Sequence, residues 1–220
     1  MYFPITAVAS QYIVSPDGDK ILLRFSGQNT ALGLGGAGVA MSFDYHGVWC
    51  CDGYAFAMPK AVLLAAMNRP SRQQSFIDYS QIAIERLSQM MNCAAAHTLR
   101  QRAARLILDV YVAQGADADE IRLTHEEIGQ FLTTRRETVS TLVGEWTAQQ
   151  LVTSTRGRIK ISNLEGIRHI ACSCHKNNNS HLERAFSLWR LHKWNTNDAS
   201  PVMFRSENSE QKNISLVDKL

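Results

Sequence analysis

Residues 124–163 read THEEIGQFLTTRRETVSTLVGEWTAQQLVTSTRGRIKISN, and this stretch decides the fold of the chain. Thr124 stands three residues before Glu127, which is the spacing of a capping box at the start of a helix. Thr134 and Glu137 repeat that spacing ten residues later. The stretch therefore predicts two helices that are separated by a short turn.

A β-hairpin is predicted directly after the second helix. Two short β segments, Leu151 to Ser154 and Arg158 to Ile161, lie on either side of a tight turn at Gly157. The order helix, turn, helix, hairpin predicts a winged helix-turn-helix.

The second predicted helix, Arg135 to Gln149, has one apolar face, formed by Val139, Leu142, Val143 and Trp146. Arginine can pair with the major-groove edge of guanine, and glutamate can accept a hydrogen bond from cytosine. Because a recognition helix enters the groove with its N-terminal turn, polar residues there are predicted to read DNA bases. The polar residues of this half of the helix are Arg135, Arg136, Glu137, Ser140 and Thr141.

Contacts with DNA phosphates are predicted from the helix starts and from the wing. The amides and hydroxyls at Thr124 and Thr134 can hold phosphate, and so can Arg156, Arg158 and Lys160 of the hairpin. The alternative is that the charged residues only form a solvated helix start. The helix-turn-helix spacing, the two caps and the basic wing together favour DNA binding.

The segment Glu127 to Ser140, followed by Gln150-Leu-Val152 and Gly157 to Ile161, closely resembles the DNA-binding domain of the Crp/Fnr family of bacterial regulators. The resemblance implies that the Arg-Glu-Thr-Val run at 136–139 is the core of the recognition helix. Thr133 stands where the family turn often has glycine. Thr141 stands where cyclic-AMP-responsive members have a second arginine, so their operator sequence cannot be transferred to this chain.

Outward from this unit, residues 1–68 are predicted to be an antiparallel β domain, since short runs rich in Val, Ile, Tyr, Phe and Trp alternate with turn signals. The resemblance implies a cyclic-nucleotide-binding-like jelly roll here. Family members have further strands ahead of the Tyr2-Phe-Pro4 segment, so we expect an incomplete roll and either a longer natural product or a truncated copy. The predicted fold class is α+β: a partial β jelly roll, a long dimerisation helix and a C-terminal winged helix-turn-helix.

Residues 69–97 are predicted to hold the dimerisation helix, from about Arg72 to Ala96. A second apolar stripe, Ile77, Ile84 and Met91, lies beside the main one. Two stripes suit a helix that packs on its own β domain and on a partner subunit; the alternative is a helix buried in a single core. The main stripe has the spacing of a coiled-coil seam, and its residues, the predicted dimer interface, are Phe76, Ser80, Ala83, Leu87, Met90 and Ala94.

The rest of the chain is divided into two parts. Residues 98–194 are predicted to form the winged domain, which opens with a helix from about Thr98 to Gln114. Residues 195–220 are polar and aperiodic, and we expect a disordered tail.

Composition excludes several classes of protein. The chain has 220 residues, of which 45% are hydrophobic, and its longest apolar runs are far too short to span a bilayer. Five cysteines, an odd number, favour free thiols in a reducing compartment, so we expect a cytoplasmic protein without a membrane partner. The net charge of +3 is compatible with a nucleic-acid partner but does not require one.

Cofactors and known effectors of the family find little support, and none is predicted. Residues 27–52 contain no Arg, Lys or Glu, so cyclic AMP is an unexpected ligand. Only Cys50, Cys51 and Cys93 precede the winged domain, too few for a four-cysteine iron–sulfur cluster. Four potential metal ligands lie near the end of the winged domain, and they are His169, Cys172, Cys174 and His175. One turn of helix could not point all four side chains at the same ion.

The sequence thus predicts a homodimeric transcription regulator, not an enzyme, that binds a palindromic double-stranded DNA operator. RNA polymerase is a further candidate partner, and the effector is not identified. Two alternatives remain: a ligand- or redox-sensing protein whose winged domain contacts another protein, and a degenerate paralogue that acts by pairing with a full-length relative.

Overall fold

The computed structural model describes residues 1–14, 17, 20–28, 30–33, 45–50, 53–66, 68–114, 120–176, 200–204 and 213–215. The helices are α1 (Lys60–Ala66), α2 (Pro70–Ala96), α3 (Leu99–Gln114), α4 (His125–Leu132), α5 (Arg136–Ala148) and α6 (Leu164–Ile170). The strands are β1 (Tyr2–Pro4), β2 (Ala9–Val14), β3 (Lys20–Ser26), β4 (Tyr45–Trp49), β5 (Gly53–Ala57), β6 (Ile121–Arg122), β7 (Val152–Thr155), β8 (Arg158–Ile161), β9 (Ser200–Phe204) and β10 (Asn213–Ser215). This mixture of strands and helices is the predicted α+β class.

Two antiparallel sheets form the N-terminal β region. One has the strand order β1-β5-β9, and the other has the order β10-β4-β2-β3. Small and aromatic side chains fill the space beside them, because Ala9 and Ala55 leave room for Trp49, which is fully buried. The ring of Tyr2 meets that of Trp49 edge to face, with centroids 6.0 Å apart. Strands β1 and β6 are too short to have been predicted from the sequence.

The expectation of a disordered tail is wrong for residues 200–204 and 213–215. Strand β9 pairs antiparallel with β5, Gly53 opposite Phe204, and β10 pairs with β4, Ile214 opposite Gly47. Both additions give ladder partners to strand edges whose N–H and C=O groups would otherwise face solvent. Strands β9 and β10 are only five and three residues long, so the polar composition of the whole tail hides them.

Helix α2 is 27 residues long, or about 40 Å. Pro70 occupies its first turn, where a missing N–H does no harm, and His97 ends it with its amide bound to the carbonyl of Cys93. Ile82 and Cys93 are buried on one side of the helix. Large apolar residues that stay exposed lie on the other side, and they are Ile77, Ile84, Leu87 and Met91.

The winged unit has α3, α4, α5 and α6 packed against a sheet of order β6-β8-β7. Its core is continuous with the β region, since Val8, Leu22 and Phe25 belong to the same buried cluster as Leu106 and Ile128. The rings of Phe25 and Phe131 have centroids 6.0 Å apart. The two regions therefore share one packed interface.

Among the described residues, no helix combines the length and the apolar character that crossing a membrane requires. Residues 177–194, predicted to end the winged domain, and residues 195–199, predicted to begin the disordered tail, lie outside the described part of the chain. So does most of the glycine-rich run from Gly33 to Gly38.

Candidate nucleic-acid interface

The predicted capping box at the start of α4 is confirmed. The amide of Glu127 donates to the Thr124 hydroxyl over 3.1 Å, and the amide of Thr124 donates to the Glu127 carboxylate over 2.8 Å. Two helix-start amides are thereby satisfied. The first helix of the motif begins at the residue that the sequence indicated.

The turn between α4 and α5 is tight and left-handed. Thr133 has φ 54° and ψ 52°, a conformation that glycine adopts with less strain than threonine. The amide of Thr134 donates to the carbonyl of Gly129 over 2.9 Å. A Cβ added at Gly129 would lie 2.8 Å from the Thr134 carbonyl oxygen, so only glycine fits there. Arg102 of α3 closes the turn by donating to the carbonyl of Leu132 over 3.0 Å.

The predicted cap by Thr134 is wrong. Helix α5 begins at Arg136, and its N-cap is Arg135, whose side chain makes no capping hydrogen bond to the described helix start. Thr134 is held inside the turn, one residue too early for the cap. Glu137 consequently sits in the first turn of α5, where its negative charge is favourable beside the helix N-terminus.

The amphipathic reading of α5 agrees with the structure. Its apolar residues Val139, Leu142, Val143 and Trp146 are buried. Arg135, Arg136, Glu137 and Thr141 are all exposed on the opposite side. Thr138 is also exposed and was missed, although it too falls off the apolar face.

Ser140 is drawn into the protein rather than presented to solvent. Its hydroxyl lies 2.9 Å from His125 Nδ1 and donates to the carbonyl of Arg136 over 3.0 Å. The other ring nitrogen of His125 lies 3.4 Å from the hydroxyl of Ser154 in β7. His125 therefore ties α4 to α5 and to the wing. Burial, with a smaller contribution from the charge of Arg136, lowers the pKa of His125 below its usual value.

The wing carries its basic residues at the turn and along β8. Arg156 and Lys160 are exposed, and Gly157 has φ 74°, which the tight turn requires. Arg158 forms an ion pair with Glu120, a partner that the sequence did not suggest. Part of its charge is thus neutralised within the chain.

The C-terminal half of α5 is fastened to α3 by Arg100. Its guanidinium donates to the carboxylate of Glu145 over 2.8 Å and to the side chain of Gln149 over 3.1 Å. It also lies over the ring of Trp146, 5.8 Å from the centroid. These contacts fix the C-terminal half of α5 to α3 and do not involve its N-terminal half.

The six predicted dimer residues do not share one environment. Phe76 packs on its own chain, against Met58 and Leu63, and Met90 lines a pocket with Leu106 of α3. Ala83 is half-buried, and so is Ser80, whose hydroxyl donates to the carbonyl of Phe76 over 2.8 Å. The exposed members are Leu87 and Ala94.

Comparison with known proteins gives a match for the helix-turn-helix part of the chain. Residues 101–170 match the Crp-like helix-turn-helix domain. The transcriptional regulatory protein btr of Bordetella pertussis is 30% identical over 106 residues, 46% of this chain and 44% of the relative. The chain therefore aligns with less than half the length of this curated relative.

Solved structures extend the likeness beyond the helix-turn-helix domain to the fold of most of this chain. A regulator of the Crp/Fnr family from Eubacterium rectale is 18% identical, with TM-score 0.56, over 77% of this chain and 79% of that one. FixK2 from Bradyrhizobium japonicum is 16% identical, with TM-score 0.57, over 78% and 87% of the two chains. The Eubacterium rectale protein and btr are both described as transcriptional regulators. The chain thus resembles the Crp/Fnr regulators in the sequence of its helix-turn-helix domain and in its fold.

Proposed function

We propose that the protein is a homodimeric, sequence-specific DNA-binding regulator that acts on a palindromic operator in the cytoplasm. The observation that carries the proposal is the start of α5. There Arg135, Arg136 and Glu137 are exposed together, while the apolar face of the helix, from Val139 to Trp146, is buried.

Arg136 and Glu137 are the residues best suited to read bases. Both lie in the first turn of α5, the part of a recognition helix that meets base edges in the major groove. Arg136 would pair with a guanine and Glu137 would accept from a cytosine amino group. Arg135 and the exposed hydroxyls of Thr138 and Thr141 would supply neighbouring contacts. Ser140 would act indirectly, by fixing His125 and the carbonyl of Arg136.

Phosphate contacts would come from residues of α4, of the turn and of the wing. Thr124 at the start of α4 is exposed, and Thr134 in the turn is half-buried. Arg156 and Lys160 of the wing would contribute more than Arg158, because Arg158 already neutralises Glu120. Such contacts add affinity without sequence preference, and that affinity falls as salt is raised.

The dimer would form through the exposed face of α2 with a second copy of this chain. Large apolar side chains stay exposed on this face, and Ile84 and Leu87 are each 57% exposed. With Ser80 and Ala94 they complete alternating steps of three and four residues, the spacing of a coiled-coil seam. The seam that we propose is Ile77, Ser80, Ile84, Leu87, Met91 and Ala94.

A two-fold dimer predicts a symmetric operator. Its two copies of α5 would reach half-sites about one duplex turn, roughly 34 Å, apart. Bound near a promoter, such a dimer could meet RNA polymerase, which we keep as a candidate partner. Cyclic AMP is not proposed as the effector.

Selection of bound fragments from random double-stranded DNA tests the function directly. We expect a palindromic consensus and an affinity for it that falls with rising salt. Arg136→Ala should weaken binding to the selected operator by about 1–3 kcal/mol. Arg69→Ala, which removes an exposed arginine at the far end of α2, is the matched control and should bind as the wild type does.

Two results would overturn the proposal in different ways. Absence of salt-dependent DNA binding by the folded chain would favour a winged unit that contacts another protein. Enrichment of DNA only when a full-length relative is co-expressed would favour a degenerate paralogue.

The dimer is tested by light scattering on the purified protein. Ile84→Asp should convert the dimer into a monomer and weaken binding to the full operator. Leu64→Asp, which alters an exposed leucine of α1, is the control and should leave the dimer intact. A wild-type protein that is monomeric at micromolar concentration would contradict this part of the proposal.

A further inference from the structure

Three cysteines from distant parts of the chain meet in a buried cluster. Cys93 lies near the end of α2, whereas Cys172 and Cys174 follow α6. Their exposed fractions are 1%, 5% and 3%. The sulfur atoms of Cys93 and Cys172 are 3.6 Å apart, and all three sulfurs lie within 4.8 Å of one another.

This cluster differs from the ligand set that the sequence suggested. His169 is exposed, and Nδ1 of His175 lies 2.8 Å from the carboxylate of Asp109. Neither histidine belongs to the cluster of potential metal ligands. Cys93 does belong to it, although it is 79 residues from Cys172 in sequence.

The spacing of the sulfurs fits one bound ion. A zinc–sulfur bond is about 2.3 Å long, so two thiolates on one tetrahedral zinc lie about 3.8 Å apart. The distance between Cys93 and Cys172 is close to this value. A disulfide would need about 2.05 Å, and the four described cysteines are all free thiols.

Burial favours the neutral form of the thiols, so a bound cation would have to displace their protons. Burial raises the pKa of Cys93, and burial with the neighbouring thiols raises the pKa of Cys172 to about 12. The positive charge of Arg105, itself buried, acts in the opposite direction on Cys93. Three thiolates around a divalent ion carry one net negative charge, which the guanidinium of Arg105 would offset.

We propose that Cys93, Cys172 and Cys174 form a site for one thiophilic divalent ion of the zinc class. Binding replaces three S–H protons by three metal–sulfur bonds and releases those protons to solvent. The fourth coordination position is left for a ligand from outside the three cysteines. All-sulfur, buried donors favour such an ion over magnesium or calcium, which take oxygen ligands.

The site would fasten the long helix to the winged unit. Cys93 is three residues before Ala96, the last residue of α2, and Cys172 and Cys174 come shortly after the last helix of the winged unit. An ion that binds the folded chain alone stabilises it in proportion to its affinity and concentration. If the proposed DNA-binding function holds, occupancy would also fix how α5 is presented relative to the dimer helix.

Titration of the reduced full-length protein with Co²⁺, a coloured substitute for Zn²⁺, tests the site. We expect one Co²⁺ per chain, with sulfur-to-cobalt charge-transfer absorption in the near ultraviolet, and displacement of the colour by Zn²⁺. Cys93→Ser, Cys172→Ser and Cys174→Ser should each weaken binding by at least about tenfold, since loss of mere outer-shell partners already has that effect. Cys50→Ser removes a half-buried thiol outside the cluster and should bind as the wild type does.

Melting temperatures keep the test decisive where a variant folds poorly. Zn²⁺ should raise the melting temperature of the wild type and of Cys50→Ser but not of Cys172→Ser. Reduced, folded wild-type protein that binds no Co²⁺ would overturn the proposal, as would a Cys93→Ser variant that binds it equally well. A Cys93–Cys172 disulfide in protein kept under reductant would overturn it too. Because none of these measurements uses DNA, failure of the DNA-binding proposal would leave their outcome unchanged.

Discussion

The winged unit and the N-terminal β region differ in how far apart in sequence their contacting segments are. In the winged unit, α4, α5 and the hairpin follow one another within 40 residues, and each contacts its neighbour in sequence. In the β region, β5 at residues 53–57 pairs with β9 at residues 200–204. Local capping and periodicity therefore specify the first region, whereas the second depends on pairing between distant segments.

The two regions are nevertheless joined by one core. Phe25 of β3 meets Phe131 of α4, and Val8 and Leu22 lie in the cluster that fills the winged unit. A change at one side of this interface can consequently be felt at the other. The difference between the regions concerns how they are specified, and not whether they pack together.

Removal of the C-terminal strands should have the largest effect and separates the two regions most clearly. A chain that ends at residue 199 loses β9 and β10, whose backbone hydrogen bonds are worth about 0.5–1.5 kcal/mol each. We expect amide-exchange protection to fall by several kcal/mol in β4 and β5 and to change little in α5. A chain that ends at Leu216 keeps both strands and serves as the control. Unchanged protection of β4 and β5 would show that their edges do not need these partners.

Gly129→Ala should damage the winged unit by a local clash. The new methyl group would lie 2.8 Å from the Thr134 carbonyl oxygen, and overpacking of this kind destabilises by about 1–3 kcal/mol. Urea denaturation measures the loss. In Gly144→Ala, the control in α5, no heavy atom of the described residues lies within 4 Å of the added Cβ. This change should stabilise by about 0.5–1 kcal/mol, and the opposite order of the two variants would contradict the turn geometry.

Thr133→Gly should relieve strain at the same turn. Threonine holds φ 54° there, and a non-glycine residue in this region is destabilised by about 1–2 kcal/mol. Glycine also loses more entropy on folding, so we expect a net gain of at most about 1 kcal/mol in unfolding free energy. Thr133→Ala keeps a Cβ and should show no such gain. If glycine destabilised the protein, the contacts of the threonine side chain would contribute more to stability than the backbone strain at φ 54° costs.

The smallest predicted effect is the pH dependence that His125 contributes. Its pKa is lowered in the folded chain, so the unfolded chain takes up the proton first as the pH falls. The contribution to stability is complete above the usual histidine pKa of about 6.5 and is lost below it, down through the lowered value. Denaturation at pH 7.5 and at pH 5.5 should show a larger loss for the wild type than for His125→Gln. An equal loss in both proteins would remove His125 from this role.

Much of the fold could be predicted where the signals are local. The capping box at Thr124, the buried face of α5 and strand β8 at Arg158–Ile161 all agree with the sequence reading. The cap at Thr134 failed by a single residue, because the turn closes through the amide of Thr134 itself. Spacing alone cannot show which of two adjacent residues enters the turn.

The remaining errors come from contacts between distant residues. Ser140 falls off the apolar face of α5, and only the folded chain shows that it meets His125, fifteen residues earlier. Strand β9 could not be recognised without knowing that β5 offered an edge to it. Cys93 and Cys172 are brought together by the packing of α2 against the winged unit. None of these pairings leaves a mark in local composition.

The central claim is that the first turn of α5 reads DNA bases, and base-by-base binding measurements test it most directly. Wild-type protein and Arg136→Ala would be titrated, at one fixed salt concentration, with the selected operator and with each of its single-base-pair variants. We predict that the wild type loses about 1–3 kcal/mol at one symmetric base-pair position, and that Arg136→Ala no longer distinguishes the bases there while keeping its other preferences. An Arg136→Ala protein that discriminates at every position as the wild type does would contradict the claim.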